Sequence, residues 1–320
     1  MIRRAVLAAA ILLASTGVLP SLAEASAEAR ALAATTPGMS DDQLKKLPAK
    51  KVFGGQKGPT TSMKARAIGS YAKGCMAGGK ALEVDGPAWQ VMRLSRNRNW
   101  GHPELVALVE RLAIEAKEKD GWNGLLVGDL AQPRGGPMLS GHASHQIGLD
   151  ADVWLTEMPD RTLSPREREE IQGKLVVKDR KRIDPKVWTE KHARLIKRAA
   201  SYPQVARIFV HPPIKAELCK WAKNDKDKAW LAKVRPYFGH NWHFHIRINC
   251  PADSPNCKNQ PEARPEDGTG CGNELAYWLG DKPWPQPPKP DATPQKPAKP
   301  APPLTISALP AECRAVVTAE

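Results

Sequence analysis

Three of the eight histidines fall within six positions in "GHNWHFHIRINC", residues 239–250: His240, His243 and His245. A second cluster, "SGHASHQIGLDADVWL" (140–155), carries His142 and His145, followed by Asp150 and Asp152. In an extended strand residues i and i+2 point to the same side, so "HFH" presents two imidazoles to one site. "DADVWL" has the same period, with Asp150, Asp152 and Trp154 on one side and Ala151, Val153 and Leu155 on the other. Imidazole with carboxylate is a ligand set for catalytic Zn2+, in which three protein ligands leave a fourth position for a water whose pKa falls from ~15.7 toward ~7. His145, Asp152 and His245 are the expected ligands. His243, beside a ligand but free of the metal, is the expected general base, and His240, in the turn before the strand, a donor to the developing oxyanion. Spacing alone leaves Asp150 as the alternative carboxylate and His142 as a further metal ligand.

Other chemistries find less support. "SYAK" (70–73) matches Ser-x-x-Lys, but neither Ser-Asp-Asn nor Lys-Thr-Gly occurs to complete such a site. His102, His192 and His211 stand singly at a helix start, within a basic helix and at a strand end, and read as structural. The six cysteines include no Cys-x-x-Cys, so a zinc ribbon is excluded and three disulfides are expected in an oxidising compartment. Cys250 and Cys257 are near neighbours; Cys75, Cys219, Cys271 and Cys313 can pair in several ways.

The elements that must position these groups follow from the rest of the chain. Residues 1–25 read as a secretory signal: "MIRR" is a positive start, "AVLAAAILLASTGVL" an apolar stretch, and "AEA" (23–25) a cleavage site. An uncleaved anchor is the alternative, although a bilayer span wants ~20 apolar residues. Nothing further along is apolar enough for stable membrane insertion. Residues 26–70 show little apolar periodicity and read as an extended or loosely packed lead-in.

"HPELVALVERLAIEAKEK" (102–119) has helical spacing, and "NGLLVGDL" (123–130) reads as a buried strand. "SPRE" (164–167) is a capping box with proline at the first helical position. Asp184 and Pro185 repeat the signal ahead of "KVWTEKHARLIKRAA". "VARIFVHP" reads as strand, "IKAELCKWA" as helix and "HFHIRIN" as strand. There is no Gly-rich loop or strict alternation of a dinucleotide fold. From residue 281 to 310 proline density favours polyproline II, a semi-rigid strap, with a docking peptide as the alternative. Residues 311–320 follow, tied back through Cys313. The formal charge of +14 favours polyanions, which for an exported protein are envelope polymers and membrane surfaces, and not nucleic acid.

"GHASHQIGLDADVWL", "VRPYFGHNWHFHIRINCPADSPNC" and "GTGCGNEL" together closely resemble the penicillin-insensitive murein endopeptidases, periplasmic enzymes of Gram-negative bacteria within the zinc peptidase group of lysostaphin, D-alanyl-D-alanine metallopeptidases and hedgehog domains. The resemblance runs from about Lys73 to the C-terminus. It implies hydrolysis of the D-alanyl to meso-diaminopimelyl bond that cross-links peptidoglycan, with zinc on His145, Asp152 and His245, His142 at a position associated with metal, and His243 and His240 as the other active-site histidines. It further implies disulfides Cys75–Cys313, Cys219–Cys271 and Cys250–Cys257. An accessory metal position built from Asp and His departs from the pattern: Asp179 matches the aspartate, but Arg182, which has no lone pair to donate, stands where the histidine would be.

The expectation is a single α+β domain, residues 26–280, with a central, mostly antiparallel sheet, helices around it, disulfide staples and a proline-rich C-terminal strap. The site is expected in a groove across the sheet. The competing functions are a zinc D-alanyl-D-alanine carboxypeptidase, which removes a terminal residue, and a non-catalytic cell-wall binder.

Overall fold

The structure, a computed structural model, describes residues 22–284 and 302–320. Most of the expected signal and the middle of the proline-rich run therefore lie outside the described residues.

Three short helices open the described chain, α1 (Leu22–Thr35), α2 (Asp41–Lys46) and α3 (Ala49–Gly54). A hairpin of β1 (Arg66–Ser70) and β2 (Lys73–Ala77) follows, then the small strands β3 (Lys80–Ala81), β4 (Asp85–Gly86), β5 (Trp89–Val91) and β6 (Trp100–Gly101). Next come α4 (Pro103–Asp120), β7 (Leu125–Val127), β8 (Asp150–Glu157), α5 (Pro165–Glu170) and α6 (Glu190–Ser201). The chain continues through β9 (Val205–Val210), α7 (Pro212–Trp221), α8 (Ala229–Lys233), β10 (Val234–Pro236), β11 (His243–Ile248), α9 (Asn273–Leu279) and α10 (Glu312–Thr318).

Seven strands form the central sheet in the order β10-β9-β11-β8-β7-β5-β4, antiparallel except at the β10/β9 and β7/β5 pairs. The fold is thus a mostly antiparallel α+β domain. Strand alternation divides the two faces. Ala151, Val153 and Leu155 of β8 and Phe244, Ile246 and Ile248 of β11 pack into the main core with Leu112 of α4 and Ile196 of α6. The opposite face receives Asp150, Asp152, His243 and His245.

Local signals explain most boundaries. α4 buries Leu105, Leu108, Val109, Leu112 and Ala116, starts at Pro103 and ends at Gly121, whose φ of 70° suits glycine. Ser164 and Glu167 close the capping box of α5. The start of α6 differs from expectation. Asp184 instead accepts the Lys186 amide at 3.0 Å and the chain turns there, while the helix begins at Glu190, where His192 Nδ1 accepts the Thr189 amide at 3.0 Å. Both Asp-Pro and Thr-x-x-His offer a cap, and the second lies where the helix can reach the core.

The lead-in is also different. It is helical and packed, not extended: Ala29, Val52 and Phe53 are fully buried, and α1 meets α3 so closely that a side chain on Gly55 would strike the Ala29 carbonyl, 2.0 Å from its Cβ. Alanine supplies little apolar signal in a sequence but lets helix backbones approach. Phe53 joins Ile68, Ile306, Val316 and the Cys75–Cys313 pair in a second core. Arg134 fastens the C-terminal segment there through the carbonyls of Val316 and Ala319, at 2.8 and 2.6 Å.

Three disulfides join Cys75 to Cys313, Cys219 to Cys271 and Cys250 to Cys257. The first spans 238 residues and ties the hairpin to α10. Cross-linking so long a loop removes much of the freedom of the unfolded chain. Replacing Cys75 and Cys313 together by serine should lower the unfolding free energy by ~2–5 kcal/mol, measured by urea titration; a midpoint equal to that of the native chain would show that α10 is held by packing alone.

Candidate active site

Register brings the two clusters together. β8 and β11 are antiparallel neighbours in which His245 lies opposite Asp152, Arg247 opposite Asp150 and His243 opposite Trp154. Opposed residues share a face, so the aspartates of one strand meet the histidines of the other. β11 is internal, with β9 on its far side; there Phe209 pairs with His245, and the two rings meet edge-on at 5.3 Å.

The loop before β8 delivers the remaining histidines. His145 has a left-handed backbone, φ 66°, uncommon outside glycine. Its amide donates to Asp150 Oδ2 at 3.0 Å and its Nδ1 lies 2.5 Å from the Leu130 carbonyl. His142 Nε2 is 2.9 Å from Asp129 Oδ2, and His245 Nε2 is 2.8 Å from Asp150 Oδ1. Each of these imidazoles therefore has one nitrogen anchored to an oxygen behind it, which fixes its tautomer and leaves the other nitrogen as a lone-pair donor.

Those free nitrogens converge on Asp152. Its Oδ1 is 3.5 Å from His145 Nε2, 3.3 Å from His245 Nδ1 and 3.7 Å from His243 Nε2, and its Oδ2 is 3.5 Å from His142 Nδ1. His142, His145 and Asp152 form a group able to hold a metal ion, with ligand atoms all within 4.8 Å of one another. His145 Nε2, Asp152 Oδ1, His240 Nδ1 and His243 Nδ1 are buried with no hydrogen-bond partner among the described residues. Each such atom costs ~1–3 kcal/mol when left unpaired, and four in one place fit a site built around a cation and a polar reactant.

Electrostatics agree with the geometry. Burial opposes ionisation of Asp150 and Asp152, but Arg247 and His245 around the first, and His243 and His145 around the second, outweigh it and hold both well below the usual carboxylate range. Burial pushes His245 down to about 4 and His240 down to about 3, and lowers His243 as well, so these rings are neutral and able to donate a lone pair. His145 moves the other way: the Asp152 charge raises it against the effect of burial.

Of the residues singled out in the sequence, His142, His145, Asp152, His243 and His245 meet here. His240 joins them from the turn, its ring centroid 5.1 Å from that of His243 and 5.8 Å from that of His245. Asp150 stands behind the group, orienting His145, His245 and Arg247. Asp179 is elsewhere: its carboxylate is taken by Arg182, at 2.7 Å from Nε, and by the Lys181 amide at 2.8 Å.

Sequence reasoning passed over Asp129, which terminates the run "LLVGD" and accepts from His142, Arg96 and Arg98. The His142 hydrogen bond and the two guanidiniums keep Asp129 ionised despite its burial. A charged residue closing a buried apolar strand was the signal available. A cleft of about 310 Å³ opens beside the group, lined by Asp129, His142, Asp152, Trp154, Trp242 and His243 among others.

Known proteins of one family match most of this chain. Residues 67–318 match the family described as penicillin-insensitive murein endopeptidase. A protein of that name from Haemophilus influenzae is 48% identical over 240 residues, covering 74% of this chain and 79% of its own. Relatives of the same name from Salmonella newport and Klebsiella pneumoniae are 44% and 42% identical, each covering 79% of this chain and 86% of its own. With a match that takes in both strands of the site, both histidine clusters and all six cysteines, the chain belongs to the penicillin-insensitive murein endopeptidase family.

Proposed function

We propose that the protein is a zinc-dependent endopeptidase that hydrolyses D-alanyl to meso-diaminopimelyl cross-links of peptidoglycan in the periplasm, after removal of residues 1–25. Family membership supports the substrate class. The observation that carries the metal is the set of three imidazoles, each anchored on one nitrogen and turning the other to a buried carboxylate. His145 Nε2, Asp152 and His245 Nδ1 would hold the ion, and His142 Nδ1 lies at hand on the cleft side. Imidazoles with one carboxylate suit zinc, which when bound supplies a Lewis acid and an acidified water. Asp179, paired with Arg182, offers no comparable second position.

The chain's own residues account for the rest. His243 is neutral, lines the cleft and has an unpartnered Nδ1, which suits it to take a proton from water. His240, also neutral, can donate a hydrogen bond to negative charge developing on the carbonyl oxygen. Asp150, Asp129 and the Leu130 carbonyl keep the rings from turning. No serine becomes a nucleophile, so β-lactams, which acylate one, leave this chemistry untouched.

Cross-linked muropeptide dimers should be converted to monomers in a reaction abolished by chelation and resistant to penicillin, as read by mass spectrometry. Loss of terminal D-alanine alone would assign a carboxypeptidase, and an unchanged dimer a wall-binding protein.

His245→Ala should lose zinc and activity together, whereas His243→Ala should keep zinc by elemental analysis and lose ~10²–10⁴-fold in turnover. Full turnover in the second variant would remove His243 as the base. Asp150→Asn should weaken zinc binding ~10–100-fold and reduce stability, since Arg247 would keep a buried charge; unchanged zinc affinity in a competition titration would show that His245 is oriented without it.

A further inference from the structure

Three arginines gather near the cleft, and their hydrogen bonds distinguish them. Arg93 gives its guanidinium to the carbonyls of Arg168, Glu169 and Ile171. Arg98 is buried between Asp129 and the Ser140 carbonyl, at 2.8 and 3.0 Å. Arg96 makes one side-chain hydrogen bond among the described residues, from Nη1 to Asp129 Oδ2 at 3.1 Å, and its side chain remains 47% exposed. One carboxylate between two guanidiniums leaves a positive charge over, and Arg96 carries it on the wall of the same cleft that His142, Asp152 and His243 line.

The backbone holds this group in place. Arg96 ends a tight turn, Leu94–Arg96, flanked by Arg93 and Asn97, both left-handed with φ of 58° and 51°. Such backbone at two non-glycine residues persists only where surroundings enforce it. Here Arg93 grips the 168–171 segment, Ser95 bonds Glu169 through its amide and hydroxyl at 2.8 and 2.9 Å, and Asn97 Nδ2 reaches the Lys57 carbonyl at 3.1 Å. Asp129 Oδ2, shared with His142, ties the guanidinium directly to the histidine group. The same cleft has apolar lining from Trp154, Trp242 and Leu175.

We propose that Arg96 anchors a substrate carboxylate, the one borne by the carbon that also carries the scissile nitrogen. This rests on the endopeptidase reading above. In a D-alanyl to meso-diaminopimelyl cross-link that carbon has a free carboxylate followed by a methylene chain. The guanidinium fork matches the first, and the tryptophan-lined wall the second. Arg96 would then be a specificity determinant that separates a cross-link from an amide whose neighbouring carbon is uncharged.

The test uses two cross-linked dimers, one with that carboxylate free and one with it converted to carboxamide. Each is titrated calorimetrically into the chelator-treated full chain and its Arg96→Gln and Arg96→Lys variants, and zinc is then restored to follow cleavage. The native chain should bind the carboxylate dimer ~10–100-fold more tightly than the amide. Arg96→Gln should bind both like the amide, and Arg96→Lys, which keeps charge without the fork, should retain part of the preference. Equal binding by the native chain, or a full preference surviving in Arg96→Gln, overturns the anchor while leaving the cleavage reading intact. If the native chain prefers the carboxylate but the zinc-restored protein cuts neither dimer, the cleavage reading falls and the anchor stands as a determinant of peptide binding.

Discussion

Asp150 is sealed from solvent in the middle of the sheet, and an ionised carboxylate in that position must have every lone pair answered. It is answered from three directions: the His145 amide on the incoming loop, His245 Nε2 on the neighbouring strand, and Arg247 Nε at 2.7 Å two residues further along that strand. The loop satisfies it in the left-handed conformation seen at His145. β11 can satisfy it only in one register, because a slip of one residue would turn His245 and Arg247 to the other face. One buried charge therefore fixes the loop, the strand pairing and the ring orientation together.

The arrangement separates duties between two aspartates a single pleat apart. Asp150 faces groups whose hydrogens point outward from the histidine set, and Asp152 faces the lone pairs. Asp129 repeats the first duty for His142 on the cleft side. The rings are thereby held before any ligand arrives, which spares the reorganisation that a looser cluster would undergo. Because β11 has a strand on each side, none of this depends on an exposed sheet edge.

How much of this the sequence discloses depends on the kind of signal. Period-two patterning shows which side chains of "DADVWL" and "HFHIRIN" share a face, and helical spacing shows α4, because both patterns are local. The distinction between Asp150 and Asp152 is not local: both lie on the same face, and only the partners across the sheet tell them apart. Arg96 is far from the histidines in sequence and meets them through a turn whose backbone no residue-type rule anticipates, whereas Asp129 lies 13 residues before His142, at the end of a buried apolar run. The packed helices before β1 give little periodic signal because α1 packs through alanines and the two that follow are six residues each, too short for Leu44, Val52 and Phe53 to show a helical repeat. At α6 two capping signals competed, and the tertiary position of the core chose the later one.

The three disulfides are nested, each enclosing the next: 75 with 313 around 219 with 271 around 250 with 257. Only the innermost pair is consecutive in the chain. A polypeptide made from its N-terminus presents Cys75 long before Cys313 exists, and the first thiol to appear after it is Cys219, the wrong partner. Oxidation in order of appearance would join 75 to 219 and 271 to 313, stapling the hairpin to α7, and only the 250–257 pair would be native. Where oxidation runs ahead of folding, the two long pairs are therefore reached only by thiol exchange through mixed disulfides, whereas a chain that folds first closes them directly.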